Sequence, residues 1–180
     1  MNQGARFQDL LPPDQADAGG SNTPASNKDW GEVVLSKLRH LQSVSSAGSR
    51  RAPLPTSVAD ALLAWAVSCY ETGQHADANV LLEELLNRQL ASVPILKAYA
   101  ANLLALSEFE SSAASCEKAQ TQAPNDPELF FLWGQAEWFA GHQGSAQLRL
   151  RQAITLFEQQ GVQPPSYFWC RDLTSAPDQE

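Results

Sequence analysis

Apolar residues along this chain return at helical intervals, and the pattern itself returns every 34 residues. Leu62, Trp65, Ala66 and Cys69 fall on one stripe of a helix; Leu81, Leu82, Leu85 and Leu86 fall on a second, close behind it. This spacing predicts amphipathic helices, and no alternation of β-branched and polar residues persists long enough to predict a strand. Segments starting at Ala59, Val93 and Pro127 align without a gap. A bulky residue recurs as Trp65, Tyr99 and Trp133, each followed by a small one, Ala66, Ala100 and Gly134. A turn column holds Gly73, Ser107 and Gly141, and a second small column holds Ala78, Ser112 and Ala146. A later column reads Leu85, Ala119 and Ala153. Small residues let two helix axes approach, and the bulky neighbours fill the volume on either side. The expectation is three helix pairs: 57–72 with 75–90, 93–106 with 109–122, and 127–140 with 143–160.

Start and stop signals agree with these bounds. Ser57 with Asp60 three residues on reads as a capping box. Asp126-Pro127 places a cap before a first-turn proline. Gly161, followed by Pro164-Pro165, ends the last helix. Ahead of the array, residues 1–28 are rich in Pro, Gly, Ser, Asn and Asp and are expected to lack order. Residues 29–45 carry Trp30, Val33, Val34, Leu38 and Leu41 on one face, an amphipathic helix with Asp29 as its cap. A linker follows over 46–56, and the array occupies 57–160 as units 59–92, 93–126 and 127–160. The tail, 161–180, brings Tyr167, Phe168 and Trp169 together, apt to pack over the open end of the last pair.

Composition narrows the function. Apolar residues make up 43% of the chain, enough for a packed interior, and the net charge is −8. Only 12 Lys and Arg are spread along it, with one adjacent pair at Arg50-Arg51, which argues against a nucleic-acid partner. No run of roughly 18 apolar residues predicts membrane insertion. The first residues lack the pattern of a secretory signal, so cytoplasmic residence is the expectation. Cys69, Cys116 and Cys170 lack metal-ligand spacing and read as small buried hydrophobes. His40, His75 and His142 are scattered, the last two at turns. The sequence at 141–144 is a turn and not a phosphate loop, and Glu83-Glu84 reads as a solvated face. No nucleophile has a base at hand, so neither an enzyme nor a metal or cofactor site is expected.

The repeat columns resemble those of the tetratricopeptide repeat, with Leu85, Ser107 and Ser112 as departures. The resemblance implies an all-α fold: three helix–turn–helix repeats forming a short right-handed superhelix, with an extra N-terminal helix and a C-terminal capping segment. In that repeat type the first helix of each pair faces a concave groove through five columns. They supply Asp60, Leu63, Val67, Tyr70 and Glu71, then Pro94, Lys97, Ala101, Leu104 and Ala105. The third unit supplies Glu128, Phe131, Gln135, Trp138 and Phe139. The candidate binding residues are therefore Leu63, Val67, Tyr70, Lys97, Ala101 and Leu104, with Phe131, Gln135, Trp138 and Phe139. So apolar a groove points to a protein partner. Lys97 is its only cation, and a receptor for C-terminal carboxylates would need several. The alternative is that residues 29–45 or the tail fill this groove as part of the fold.

Stretches such as YETGQHADANVLLEELL and ELFFLWGQAEWFAGHQGSAQLRLRQAI resemble the class II translocator chaperones of bacterial type III secretion. The resemblance implies a cytoplasmic chaperone that holds a hydrophobic segment of an export client, a translocator-like protein, in the groove. Client anchors would insert between Leu63, Val67, Tyr70, Leu104, Phe131 and Trp138. It also implies a homodimer formed through residues 29–45. The second reading is a scaffold or adaptor subunit of a secretion or pilus assembly that binds a folded partner.

Overall fold

A computed structural model describes residues 56–175. The expectations for 1–28, for the amphipathic helix at 29–45, for the linker, and for Arg50-Arg51 and His40 lie outside the described residues. Within them the chain forms seven helices and no strand. These are α1 (Thr56–Glu71), α2 (His75–Asn87), α3 (Val93–Ala105), α4 (Phe109–Gln120), α5 (Pro127–Phe139), α6 (Gln143–Gln160) and α7 (Pro165–Ser175). Each odd-numbered helix up to α5 packs on the helix that follows it, and neighbouring pairs stack through α2 on α3 and α4 on α5.

The turns explain the 34-residue period. Gly73, Ser107 and Gly141 all have left-handed backbone, at φ 76°, 62° and 84°. Each donates its N–H to the carbonyl three residues back, and the next residue donates five back: Gln74 to Cys69, Glu108 to Leu103, His142 to Glu137. These paired bonds satisfy carbonyls that a helix end leaves open and reverse the chain within two residues. The second helices consequently open at His75, Phe109 and Gln143. Ser107 holds this conformation without the freedom that glycine has at the other two turns. A further left-handed residue, Gln89 (φ 64°), follows α2, which ends at Asn87, short of the expected 90.

The predicted crossing columns are buried. Ala66, Ala100, Ala78, Ser112 and Ala146 have no exposed surface. Gly134 is packed so closely that a Cβ would lie 2.5 Å from Leu150 Cδ2. Ser112, a departure in its column, donates from Oγ to the Ala100 carbonyl at 2.8 Å, so its hydroxyl enters the core with a partner. Leu85, the other large departure, is fully buried. Asn102 is buried as well and donates from Nδ2 to the His75 carbonyl at 3.0 Å, tying α3 to the start of α2.

Helix starts divide into two kinds. At α5, Asp126 Oδ1 accepts the N–H groups of Glu128 and Leu129, at 3.0 and 3.3 Å, as the Asp-Pro pair predicts. At α1 the helix already includes Thr56, so Ser57 lies inside it and the expected capping box does not start it. Gly161 ends α6 with φ 66°. One further correction concerns Glu84. It is fully buried and paired with Arg88 at 2.7 Å, because α2 buries residues on more than one side and leaves no solvated face at this position.

The tail folds into α7. Tyr167 and Cys170 are buried against α6, where Tyr167 meets Phe157 edge to face. Trp169 sets its ring against Phe131 at 5.4 Å and 87°. These residues join Leu96, Leu129, Phe130, Trp133 and Leu150 in one core cluster. Arg149 lies over the Trp133 ring at 3.7 Å, and the indole N–H of Trp133 reaches Glu137 at 3.2 Å.

Candidate functional site

Helices α1, α3 and α5 belong to successive pairs and run in the same direction, so their equivalent columns meet along one groove. Two adjoining cavities form it. The larger, about 480 Å³, lies toward the turns and is lined by Tyr70, Ala101, Leu104, Ala105, Leu132, Gln135 and Phe139, with Ser107 and Phe109 at its rim. The smaller, about 290 Å³, is lined by Ala66, Val67, Leu82, Ala98 and again Tyr70, Ala101 and Leu132, with Glu71 and Lys97 beside them. The three shared residues make the cavities one trough.

The trough is apolar and open to solvent. Val67, Tyr70 and Phe139 keep 38%, 37% and 54% of their surface exposed, although burial of such side chains is the rule. The two aromatic rings nevertheless have partners. The Tyr70 ring meets the His75 ring edge to face at 5.3 Å, and Phe139 stacks on Phe109 at 5.6 Å and 27°. Aromatic pairs of this geometry hold a rim in place without covering it.

Of the expected binding residues, Val67, Tyr70, Lys97, Ala101, Leu104, Gln135 and Phe139 line these two cavities. Leu63, Phe131 and Trp138 line neither. Phe131 is half-buried under Trp169, and Glu128 accepts a hydrogen bond from Ser166 Oγ at 2.9 Å, so α7 covers that end of the column. Lys97 differs from its sequence reading as a lone groove cation: its Nζ is 2.9 Å from Asp126 Oδ2. One carboxylate thereby caps α5 and neutralises the groove lysine. Sequence reasoning missed Leu132 and Phe109. Leu132 adjoins the Phe131 column and is one of the apolar run Leu129–Leu132; Phe109 is a bulky residue two places after the turn column, where His75 and Gln143 stand in the other units.

The titratable groups offer little chemistry. Burial pushes the Cys116 and Cys170 thiols up to about 12, and raises Cys69, so all three stay protonated near neutrality. His142 pairs with Glu137 at 2.9 Å across the α5–α6 turn. Among the described residues no group of three His, Cys, Asp or Glu is placed to hold a metal ion, and no helix is long and apolar enough to cross a membrane.

No protein-family model matches the chain, and no curated protein sequence matches it significantly. Solved structures do. The type III secretion translocator chaperone SycD of Yersinia enterocolitica superposes with a TM-score of 0.58 at 16% identity, over 66% of this chain and 89% of that one. The Sgt2 TPR domain of Aspergillus fumigatus gives 0.59 at 21% identity, over 71% and 82%. A type III secretion complex from Aeromonas hydrophila gives 0.59 at 16% identity, over 79% and 91%. The described residues of this chain have an all-α fold of the tetratricopeptide type, and that fold resembles the one of the type III secretion translocator chaperones.

Proposed function

We propose that this chain binds protein, and that it is a cytoplasmic chaperone holding an extended apolar segment of an export client in the trough between α1, α3 and α5. The observation that carries the reading is the trough itself, an open apolar surface continuous across helices of three different pairs. A concave, mostly apolar cleft with a few polar groups is the usual form of a binding site. Each aliphatic side chain that a client buries there contributes about 1.5–3 kcal/mol. The same burial withdraws that surface from aggregation. SycD, whose fold is similar, is a translocator chaperone, which supports a hydrophobic translocator-like client as the partner. Self-association through residues 29–45 belongs to the same proposal.

The test starts from the full-length chain purified with its partner from the native host, followed by titration of the partner's apolar segments. Tyr70→Glu and Leu104→Glu place a charge in the trough and are expected to weaken binding at least about tenfold, with helical circular dichroism unchanged. Full binding by both variants rules the trough out as the site. The partner expressed alone should aggregate; a partner that stays soluble by itself favours the scaffold reading.

A further inference from the structure

The charges around the trough restrict what can fill it. Because α1, α3 and α5 run the same way, their C-terminal ends arrive at one edge: Tyr70 and Glu71, Leu104 and Ala105, and Phe139. A helix C-terminus carries the equivalent of about half a negative charge, but α2, α4 and α6 begin at His75, Phe109 and Gln143 beside these ends, and their positive N-termini offset it. None of these three has a basic residue in its last turn.

The side chains therefore decide the sign. Only Glu71 and Lys97 among the residues lining the two cavities are charged. Lys97 is held by Asp126, whose other oxygen caps α5. Glu71 is exposed and has no ion-pair partner among the described residues. Nearby at the turns, Glu108 adds a further negative charge, while Glu137 is engaged by Trp133 and His142, and His75 packs on Tyr70. Among the described residues, the charge left unpaired along the trough is therefore that of the Glu71 carboxylate.

Resting on the groove-binding reading above, we infer that the occupant carries Lys or Arg beside its apolar anchors, and that Glu71 recognises that charge. Arginine fits better than lysine, since its planar fork pairs with a carboxylate and stacks on aromatic faces such as Tyr70 and Phe139. An acidic occupant would have to draw Lys97 away from Asp126 and leave that carboxylate facing another.

Arrays of short peptides, each with an aromatic and an aliphatic anchor and a varied neighbouring residue, test this against the full chain. Peptides with Arg or Lys beside the anchors should bind about fivefold better than their Glu counterparts at low salt, and the margin should shrink as salt rises. Glu71→Gln should narrow the preference, and Glu71→Lys should reverse it. Tyr70→Glu serves as the control for the trough. If binding depends on Tyr70 but the charge preference is the same with and without Glu71, the inference fails while the chaperone reading stands. If no peptide binds in a Tyr70-dependent manner, both fail.

Discussion

At the scale of single residues, Ser107 shows how the repeat tolerates an imperfect column. Its left-handed backbone costs an ordinary residue about 1 kcal/mol or more, whereas glycine adopts it freely. Ser107→Gly is therefore expected to raise stability by about 0.5–1 kcal/mol, after the entropy that glycine brings to the unfolded chain. Urea denaturation measures it; a loss of stability would show that the turn holds Ser107 for a reason beyond backbone geometry. The turn was legible in the sequence because Gly73 and Gly141 mark the same column. The partner that admits Ser112 to the core was not legible, and neither was the burial of Glu84. Ser112 needs the Ala100 carbonyl at 2.8 Å, and Glu84 needs the burial of more than one side of α2. Periodicity along one helix says nothing of a neighbour's carbonyl or of how many neighbours a helix has.

At the scale of elements, Asp126 joins two helices. Its Oδ1 caps α5 and its Oδ2 holds Lys97 of α3. Asp126→Ala removes a cap worth about 1 kcal/mol and a partly exposed ion pair worth less, so the expected loss is about 1–2 kcal/mol. Asp126→Asn keeps the capping oxygen and should lose under about 1 kcal/mol. Equal losses in thermal unfolding of the two variants would mean that the cap contributes nothing. The Asp-Pro signal placed the cap in advance. That the same residue reaches a lysine 29 positions earlier was beyond sequence reading, since it depends on how two pairs stack. The α7 helix was legible only as a packing tail: of its three aromatics Tyr167 is buried and Trp169 half-buried while Phe168 stays exposed, and eleven residues opening on the second of two prolines carry too little pattern to fix a helix.

At the scale of the whole molecule, α7 closes the stack by covering α6 and the Phe131 end of the groove column. Deleting residues 162–180 would uncover Phe131 and Phe157 and remove the buried Tyr167 and Cys170. From the area involved, the described helices should lose on the order of 3–5 kcal/mol and bind a dye that reports exposed apolar surface. An unchanged denaturation midpoint would show that α7 is an accessory to the fold. Seven of the ten expected groove residues line the two cavities, because groove columns follow from repeat register alone. What Phe131 and Lys97 face is decided by α7 and Asp126, both distant in sequence.

The trough has one consequence for how the array behaves under load. Its walls come from α1 and α5, which stand on either side of α3, so neither wall can be kept if its own pair comes loose. A segment seated there touches both sides at once. It acts as a rivet through a stack whose plates otherwise grip only their neighbours, so the filled protein should come apart as one body where the empty one can peel from an end.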